Sequence, residues 1–147
     1  MFKNILLPTD GSRFSNKAVT AASQLARSLG ARLLLLHVRS PVEVPHHVEG
    51  GALSSLGGTV LMQEIEDEER RLLDAAAELA AGEGSKAETA FVADFAPFEA
   101  IIRTAREQHC DLIVMASHGR RGISGMLLGS ETQKVLTHST IPVLIVR

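Results

Sequence analysis

The sequence predicts a doubly wound α/β fold, in which helices cover both faces of a parallel β-sheet. Five short runs of β-branched and aliphatic residues are typical of strands buried on both faces, because apolar residues fill successive positions. Segments with apolar residues at helical spacing separate these runs, so strand and helix alternate. The 147 residues, 45% of them hydrophobic, are enough for a single domain, residues 1–147, with one core.

The first predicted strand, residues 5–7, leads into a helix that is expected to end at Gly30, since glycine adopts the left-handed backbone of a helix C-cap without steric cost. The expected buried stripe of this helix is Phe14, Ala18, Ala21, Leu25 and Leu29. The second predicted strand, residues 33–38, follows directly.

Residues 39–58 interrupt the alternation, with Pro41, Pro45, four glycines and no stable period. We expect a long loop here. Two interpretations remain open, a lid over a functional site and a disordered segment.

The alternation then resumes and runs to the last residues. The second helix is expected to bury Leu61, Ile65, Leu72, Ala76 and Leu79. A third strand, residues 90–92, precedes a helix with Pro97 in its first turn, where the missing N–H of proline is harmless. Strands at 112–115 and 143–146 complete the pattern, and the last is expected at a sheet edge.

Charge and composition argue against several classes of function. The 15 basic and 17 acidic residues are mixed along the chain and give a net charge of −2, so no field favours nucleic acid or an anionic membrane. The apolar run near residue 5 is too short for a membrane span or a signal peptide. Cys110, the single cysteine, is expected to be a small buried residue. We therefore expect a cytoplasmic protein without a disulfide.

Two loops follow predicted strands at the position where open parallel sheets bind ligands. One is residues 8–12. The other, residues 117–130, contains Gly119, Gly122, Gly125 and Gly129 and leads into a helix near Ser130. Backbone N–H groups and the positive end of a helix dipole would converge there, which favours phosphate. The sequence contains neither G-x-G-x-x-G after a strand nor G-x-x-x-x-G-K-[ST], so the site is not a dinucleotide fingerprint or a Walker loop.

Four blocks resemble the universal stress protein family over the whole chain. They are ILLPTDGS at 5–12, LLHV at 35–38, ASHG at 116–119 followed after nine residues by Gly129-Ser130, and IPVLIV at 141–146. The resemblance implies a Rossmann-like, five-stranded parallel sheet of order 3-2-1-4-5, which would bring the two loops together. It also implies an ATP-binding regulatory protein of the stress response that forms a homodimer through its C-terminal strand and acts on an unknown protein partner.

The resemblance also implies roles for individual residues. Asp10 would lie by the nucleoside, the backbone of Val38 would meet the adenine, and the glycine loop with Ser130 would hold phosphates that carry Mg or Mn. The expected nucleotide-binding residues are Pro8, Thr9, Asp10, Val38, Met115, Ala116, Ser117, His118, Gly119, Arg120, Gly122, Gly129, Ser130, Glu131 and Thr132. Ala116 departs from the family pattern G-x-x-G-x9-G-[ST] at its first glycine, a change that costs little if the backbone there is strand-like.

Several alternatives remain open. Asp10 is either a ligand-binding residue or the N-cap of the first helix, and Ser130, which begins an S-x-x-[EQ] string, either caps its helix or contacts phosphate. For the whole protein, the alternatives to an ATP-dependent switch are a dimeric interaction protein that binds no nucleotide and a slow ATP hydrolase. Because the two loops offer no lysine and no glutamate base, we assign no catalytic residue and expect hydrolysis to be absent or very slow.

Overall fold

A computed structural model describes residues 1–41, 51–119 and 128–147, and of residues 51–56 only the backbone. Five strands and four helices alternate in this part of the chain. They are β1 (Asn4–Pro8), α1 (Arg13–Leu29), β2 (Arg32–Arg39), α2 (Gly51–Gly82), β3 (Ala87–Ala93), α3 (Pro97–Glu107), β4 (Leu112–Ala116), α4 (Ser130–His138) and β5 (Val143–Val146).

The strands form one parallel sheet of order β3-β2-β1-β4-β5, and the predicted fold and strand order are confirmed. In the centre of the sheet Ile5 of β1 lies opposite Leu33 of β2 and Leu112 of β4. The chain therefore moves outward from β1 in one direction and then returns to continue in the other, and the strand order reverses between β1 and β4. This is where such sheets leave a crevice at their carboxyl edge.

Alternate side chains of the strands fill two cores, one on each face of the sheet. Leu7, Leu35 and Val114 pack with small residues of α1 and α2. Leu6, Leu34 and Ile113 face the other way and pack with residues of α3 and α4. Each central strand is buried on both faces, which explains its uninterrupted apolar sequence.

The predicted buried stripe of α1 is right in part, since Ala18 is buried and Phe14 and Leu25 pack partly buried against the core. The fully buried positions are small side chains, namely Ser15, Ala18, Val19, Ala22, Ser23 and Ala26, whereas Leu29 is 39% exposed. Small residues let the helix approach the sheet closely, and the hydroxyl of Ser23 donates to the carbonyl of Val19 at 2.7 Å, which satisfies it. In α2 the predicted Ala76 is buried together with Leu73 and Ala80, whereas the predicted Leu61 is 46% exposed.

Helix α2 begins at Gly51, so the predicted loop of residues 39–58 is too long. Glycines favoured a loop, yet extending an existing helix costs far less than nucleating one, and Ala52 and Leu53 are good helix formers. Residues 42–50 lie outside the described part of the chain, and so does any lid formed by them.

Strand β3 is not buried as its apolar sequence predicted. It has only β2 as a neighbour, and Phe91 in it is 39% exposed. At the other edge, β5 pairs only with β4, as predicted, and Leu144 is 43% exposed. Position at an edge, which the local sequence does not encode, decides the exposure of both strands.

The C-cap of α1, the start of α3 and the burial of the single cysteine are as the sequence predicted. Gly30 caps α1 with a φ of 63°, and Pro97 is the first residue of α3. Cys110 is 7% exposed, and burial raises the pKa of its thiol. Among the described helices none is long and apolar enough to cross a membrane.

Candidate functional site

A cavity of about 590 Å³ opens at the carboxyl ends of β1 and β4, where the strand order reverses. Twelve of the residues expected from the sequence line it, namely Pro8, Thr9, Asp10, Val38, Met115, Ala116, His118, Gly119, Gly129, Ser130, Glu131 and Thr132. Residues separated by more than a hundred positions thus share one concave surface. Ser117 is buried behind it, and Arg120 and Gly122 lie outside the described residues.

Asp10 lies in the turn after β1 and is not the N-cap of α1. Its Oδ1 accepts from the backbone N–H of Ser12 at 2.9 Å, and Ser12 is the N-cap, since its hydroxyl accepts from the N–H of Ser15 at 3.2 Å. Because Ser12 supplies the cap, Asp10 does not, and its side chain lies on the cavity wall. The structure therefore excludes the capping role for Asp10.

Gly119 leaves space for Asp10 on the opposite loop. A Cβ atom built at Gly119 would lie 2.7 Å from Oδ2 of Asp10, closer than real Cβ contacts allow. The φ of Gly119 is not in the left-handed region, so the space beside Asp10, and not backbone conformation, favours glycine here. The glycine of the second loop thereby permits the close approach of Asp10 in the first.

Thr9 is held by His37 of β2, which was not among the expected site residues. Its N–H donates to the carbonyl of Leu36 at 2.8 Å, and its own carbonyl lies 2.8 Å from Nδ1 of the buried His37. Because a carbonyl can only accept, Nδ1 of His37 carries the proton. A histidine inside the apolar run of β2 was the available signal for this contact.

Ala116 ends β4, and its backbone is strand-like, without a positive φ. Two contacts fix the loop beyond it, since the N–H of Ser117 donates to the carbonyl of Val146 at 2.8 Å and its carbonyl accepts from the N–H of Gly129 at 2.7 Å. The hydroxyl of the buried Thr132 donates to the carbonyl of Ala116 at 3.0 Å. The start of α4 is therefore fastened directly to the end of β4.

The N-cap of α4 is Gly129, so the predicted capping box at Ser130 does not form. Gly129 has an extended backbone, with φ −66° and ψ 153°, and its carbonyl accepts the first helical bond from Gln133 at 2.9 Å. Ser130 is already inside the helix, exposed on the cavity wall. Among the described residues no side chain caps this end, and the first N–H groups of a helix have no intrahelical partner.

Glu131 connects the two helices beside the cavity. Its Oε2 accepts from the backbone N–H of Phe98 in the first turn of α3 at 2.9 Å, and its Oε1 lies 2.9 Å from Nζ of Lys134. The carboxylate thus caps α3 from outside, where Ala96 provides no side-chain cap.

Sequence reasoning missed four residues of the cavity wall, namely Ser15, Ser40, Pro97 and Ile101. Ser15 belongs to the α1 cap and accepts from the hydroxyl of Thr9 at 3.2 Å. His118, which was expected, lies 3.1 Å from Oγ of Ser117 through Nδ1, and its ring packs against that of Phe14. Within the described ranges, no three His, Cys, Asp or Glu side chains cluster as they would to bind a metal.

The family model described as "Universal stress protein family" matches residues 1–147. The chain belongs to this family. A universal stress protein of Bacillus subtilis, YxiE, is 38% identical over 156 residues, covering all of both chains. A universal stress protein of Thermus aquaticus is 35% identical over 147 residues, again over the full length of both.

Solved structures of the family share the fold. The MJ0577 protein of Methanocaldococcus jannaschii superposes with a TM-score of 0.78 at 27% identity, covering 99% of this chain and 96% of that one. A universal stress protein solved in complex with cAMP gives a TM-score of 0.68 at 26% identity, covering 99% and 97%. Nucleotide binding is thus recorded within the family for a relative of similar fold.

Proposed function

We propose that the cavity binds an adenine nucleotide, ATP with Mg or Mn in the first instance, and that occupancy serves as a regulatory signal in the stress response. One observation carries the proposal. Three elements converge on one cavity where the strand order reverses, namely the Asp10 turn, the end of β2 at Val38 and the N-terminus of α4. A nucleotide needs these three surfaces together, for its sugar, its base and its phosphates.

The volume and the lining residues of the cavity support the binding of a nucleotide. About 590 Å³ lies within the range of small-molecule and cofactor sites, and Met115, Ile101 and Pro97 give the wall apolar surface for a base. The N-terminus of α4, for which the described residues supply no side-chain cap, directs backbone N–H groups and the positive end of the helix dipole toward a bound anion. A polyphosphate would extend toward Gly129 and Ser130.

A divalent cation suits this donor set. Asp10 places a carboxylate on the cavity wall, and such hard oxygens are ligands that Mg²⁺ and Mn²⁺ accept alongside phosphate oxygens. A bound ion would offset the charge of a triphosphate. Because the described residues offer no cluster of three metal-ligating side chains, we propose that the ion is held mainly through the phosphates.

The replacement of glycine by Ala116 is compatible with this function. The methyl group sits at the end of a strand and joins the core on the α1 side, so no left-handed backbone is lost. The competing hypothesis, a family member that keeps the fold but binds no nucleotide, loses its main argument. We retain it as the outcome that the experiment below would establish if binding fails.

The test has two steps. Freshly purified protein is denatured and the released small molecules are identified by mass spectrometry, and the stripped protein is then titrated calorimetrically with ATP plus Mg²⁺, AMP, cAMP and GTP. We expect adenine nucleotides to bind at about one per chain, with GTP weaker. Absence of both released nucleotide and binding heat at millimolar concentration would establish the non-binding alternative.

A further inference from the structure

The described part of the cavity wall carries acidic side chains, although the proposed ligand is itself an anion. Among the described lining residues the acidic side chains are Asp10 and Glu131, and these lining residues include no lysine or arginine. Asp10 belongs to the β1 side. Glu131 follows Ser130 directly in the first turn of α4, on the side where the proposed phosphates would lie.

Glu131 cannot easily move away from this position. Both of its oxygens are engaged, one with the N–H of Phe98 at 2.9 Å and the other with Lys134 at 2.9 Å. Swinging the carboxylate outward would leave the first turn of α3 without its external cap. Lys134 offsets the negative charge only in part, because the side chains of both partners are substantially solvated, with 50% and 36% exposure.

We propose that Glu131 makes the site select nucleotides by the charge of their phosphate chain, excluding metal-free triphosphates while admitting monophosphates and metal complexes of triphosphates. The proposal rests on the proposed nucleotide-binding function. Coulomb repulsion grows in proportion to ligand charge, and a free triphosphate carries about four negative charges whereas its magnesium complex or a monophosphate carries about two. The site would thus respond to ATP together with its metal ion.

The experiment compares wild type with Glu131→Gln, titrated calorimetrically at low ionic strength with ATP in EDTA, ATP in excess Mg²⁺, and AMP in EDTA. Glutamine keeps an acceptor oxygen for Phe98 and removes the charge. We expect the substitution to tighten binding of metal-free ATP by about threefold to tenfold. The affinities for the other two ligands are expected to change by less than about threefold. Added salt is expected to reduce the difference.

Two controls separate charge from structure. Lys134→Gln removes the positive charge that partly offsets Glu131. It is therefore expected to weaken the binding of metal-free ATP selectively, an effect opposite in sign to that of Glu131→Gln. Glu107→Gln makes the same charge change at the opposite end of α3, where the side chain is exposed, and is expected to leave all three affinities unchanged.

The outcomes distinguish the two proposals. If wild type binds nucleotide but Glu131→Gln alters all three ligands equally, or if Glu131→Gln and Lys134→Gln act in the same direction, the charge filter is refuted and the nucleotide site stands. If wild type binds none of the three ligands, both proposals fail.

Discussion

Oδ2 of Asp10 lies 2.7 Å from the point that a Cβ atom would occupy at Gly119. Asp10 follows β1 and Gly119 follows β4, so this near contact joins two loops that meet only because β1 and β4 are neighbours. The space that glycine leaves lets the carboxylate face the cavity while Oδ1 holds the turn at Ser12.

Replacing Gly119 by alanine is therefore expected to displace the side chain of Asp10 and weaken nucleotide binding. We expect a loss of about tenfold in affinity, equivalent to about 1.4 kcal/mol, measured by calorimetry. Gly129→Ala is a comparison within the same site, because a Cβ there would make an ordinary contact of 3.4 Å with the carbonyl of Ser117. Gly57→Ala, with nothing within 4 Å, controls for the mutation itself. Equal binding by all three variants would contradict the steric argument.

Arg39 at the end of β2 forms an ion pair with Glu69 of α2, which is 8% exposed. Glu69→Gln leaves the guanidinium without its counter-charge in a nearly buried site, so we expect the free energy of unfolding to fall by about 3 kcal/mol in urea titrations. Replacing both residues by methionine is expected to recover most of that loss, since the desolvation cost disappears with the charges.

The exposed pair of Arg32 and Glu88 provides a control for this prediction. Solvent screens it, so Glu88→Gln is expected to have a much smaller effect than Glu69→Gln. Similar losses at the two sites would show that burial does not determine the value of the Arg39–Glu69 pair.

The ionisation of Asp111 makes the free energy of unfolding depend on pH in the acid range. Partial burial raises the pKa of its carboxyl, but hydrogen bonds from the backbone N–H groups of Asn4 and Lys3 outweigh this effect, and the pKa lies below its ordinary value. The stabilisation is therefore complete above the unfolded pKa of about 3.9 and is lost as the pH falls through the lower folded value.

Asp111→Asn is expected to lower the free energy of unfolding at pH 7 by about 1 kcal/mol, a figure reduced for solvent screening. Below the folded pKa, where Asp111 is protonated, the difference from wild type should shrink. Urea titrations at a series of pH values would measure it, with Asp74→Asn on the exposed face of α2 as control. A difference that stayed constant from neutral to strongly acidic pH would argue against a charge effect.

The exposed edge of β5 predicts a homodimer. Leu144 is 43% exposed on a strand with one paired neighbour, and an isologous contact between two such edges would cover it. Leu144→Lys is expected to convert a dimer into a monomer at micromolar concentration in light-scattering measurements. Leu136→Lys on α4, where leucine is 40% exposed, is the matched control and should remain dimeric. A dimer that survives in Leu144→Lys would place the interface elsewhere.

Much of the site could be predicted because its chemistry lies in short segments. Asp10, Gly119 and Gly129 stand directly after strands or before a helix, and their residue types indicate a turn and an anion cradle. Ile101, Pro97 and Ser15 could not be found in this way, because each reaches the cavity from a helix whose position depends on packing against the sheet.

Local sequence was enough to predict the order of the elements, the C-terminal cap of α1, the start of α3 and the two loops of the site, and its four blocks indicated the family. Tertiary structure decided which residues of α1 are buried, that β3 is an exposed edge, that Gly129 and not Ser130 caps α4, and that Glu131 stands beside the cavity joined to Phe98. Periodicity and motif are properties of neighbouring residues. Burial, edge position and caps supplied from another helix depend on elements distant in the chain, which only folding brings together.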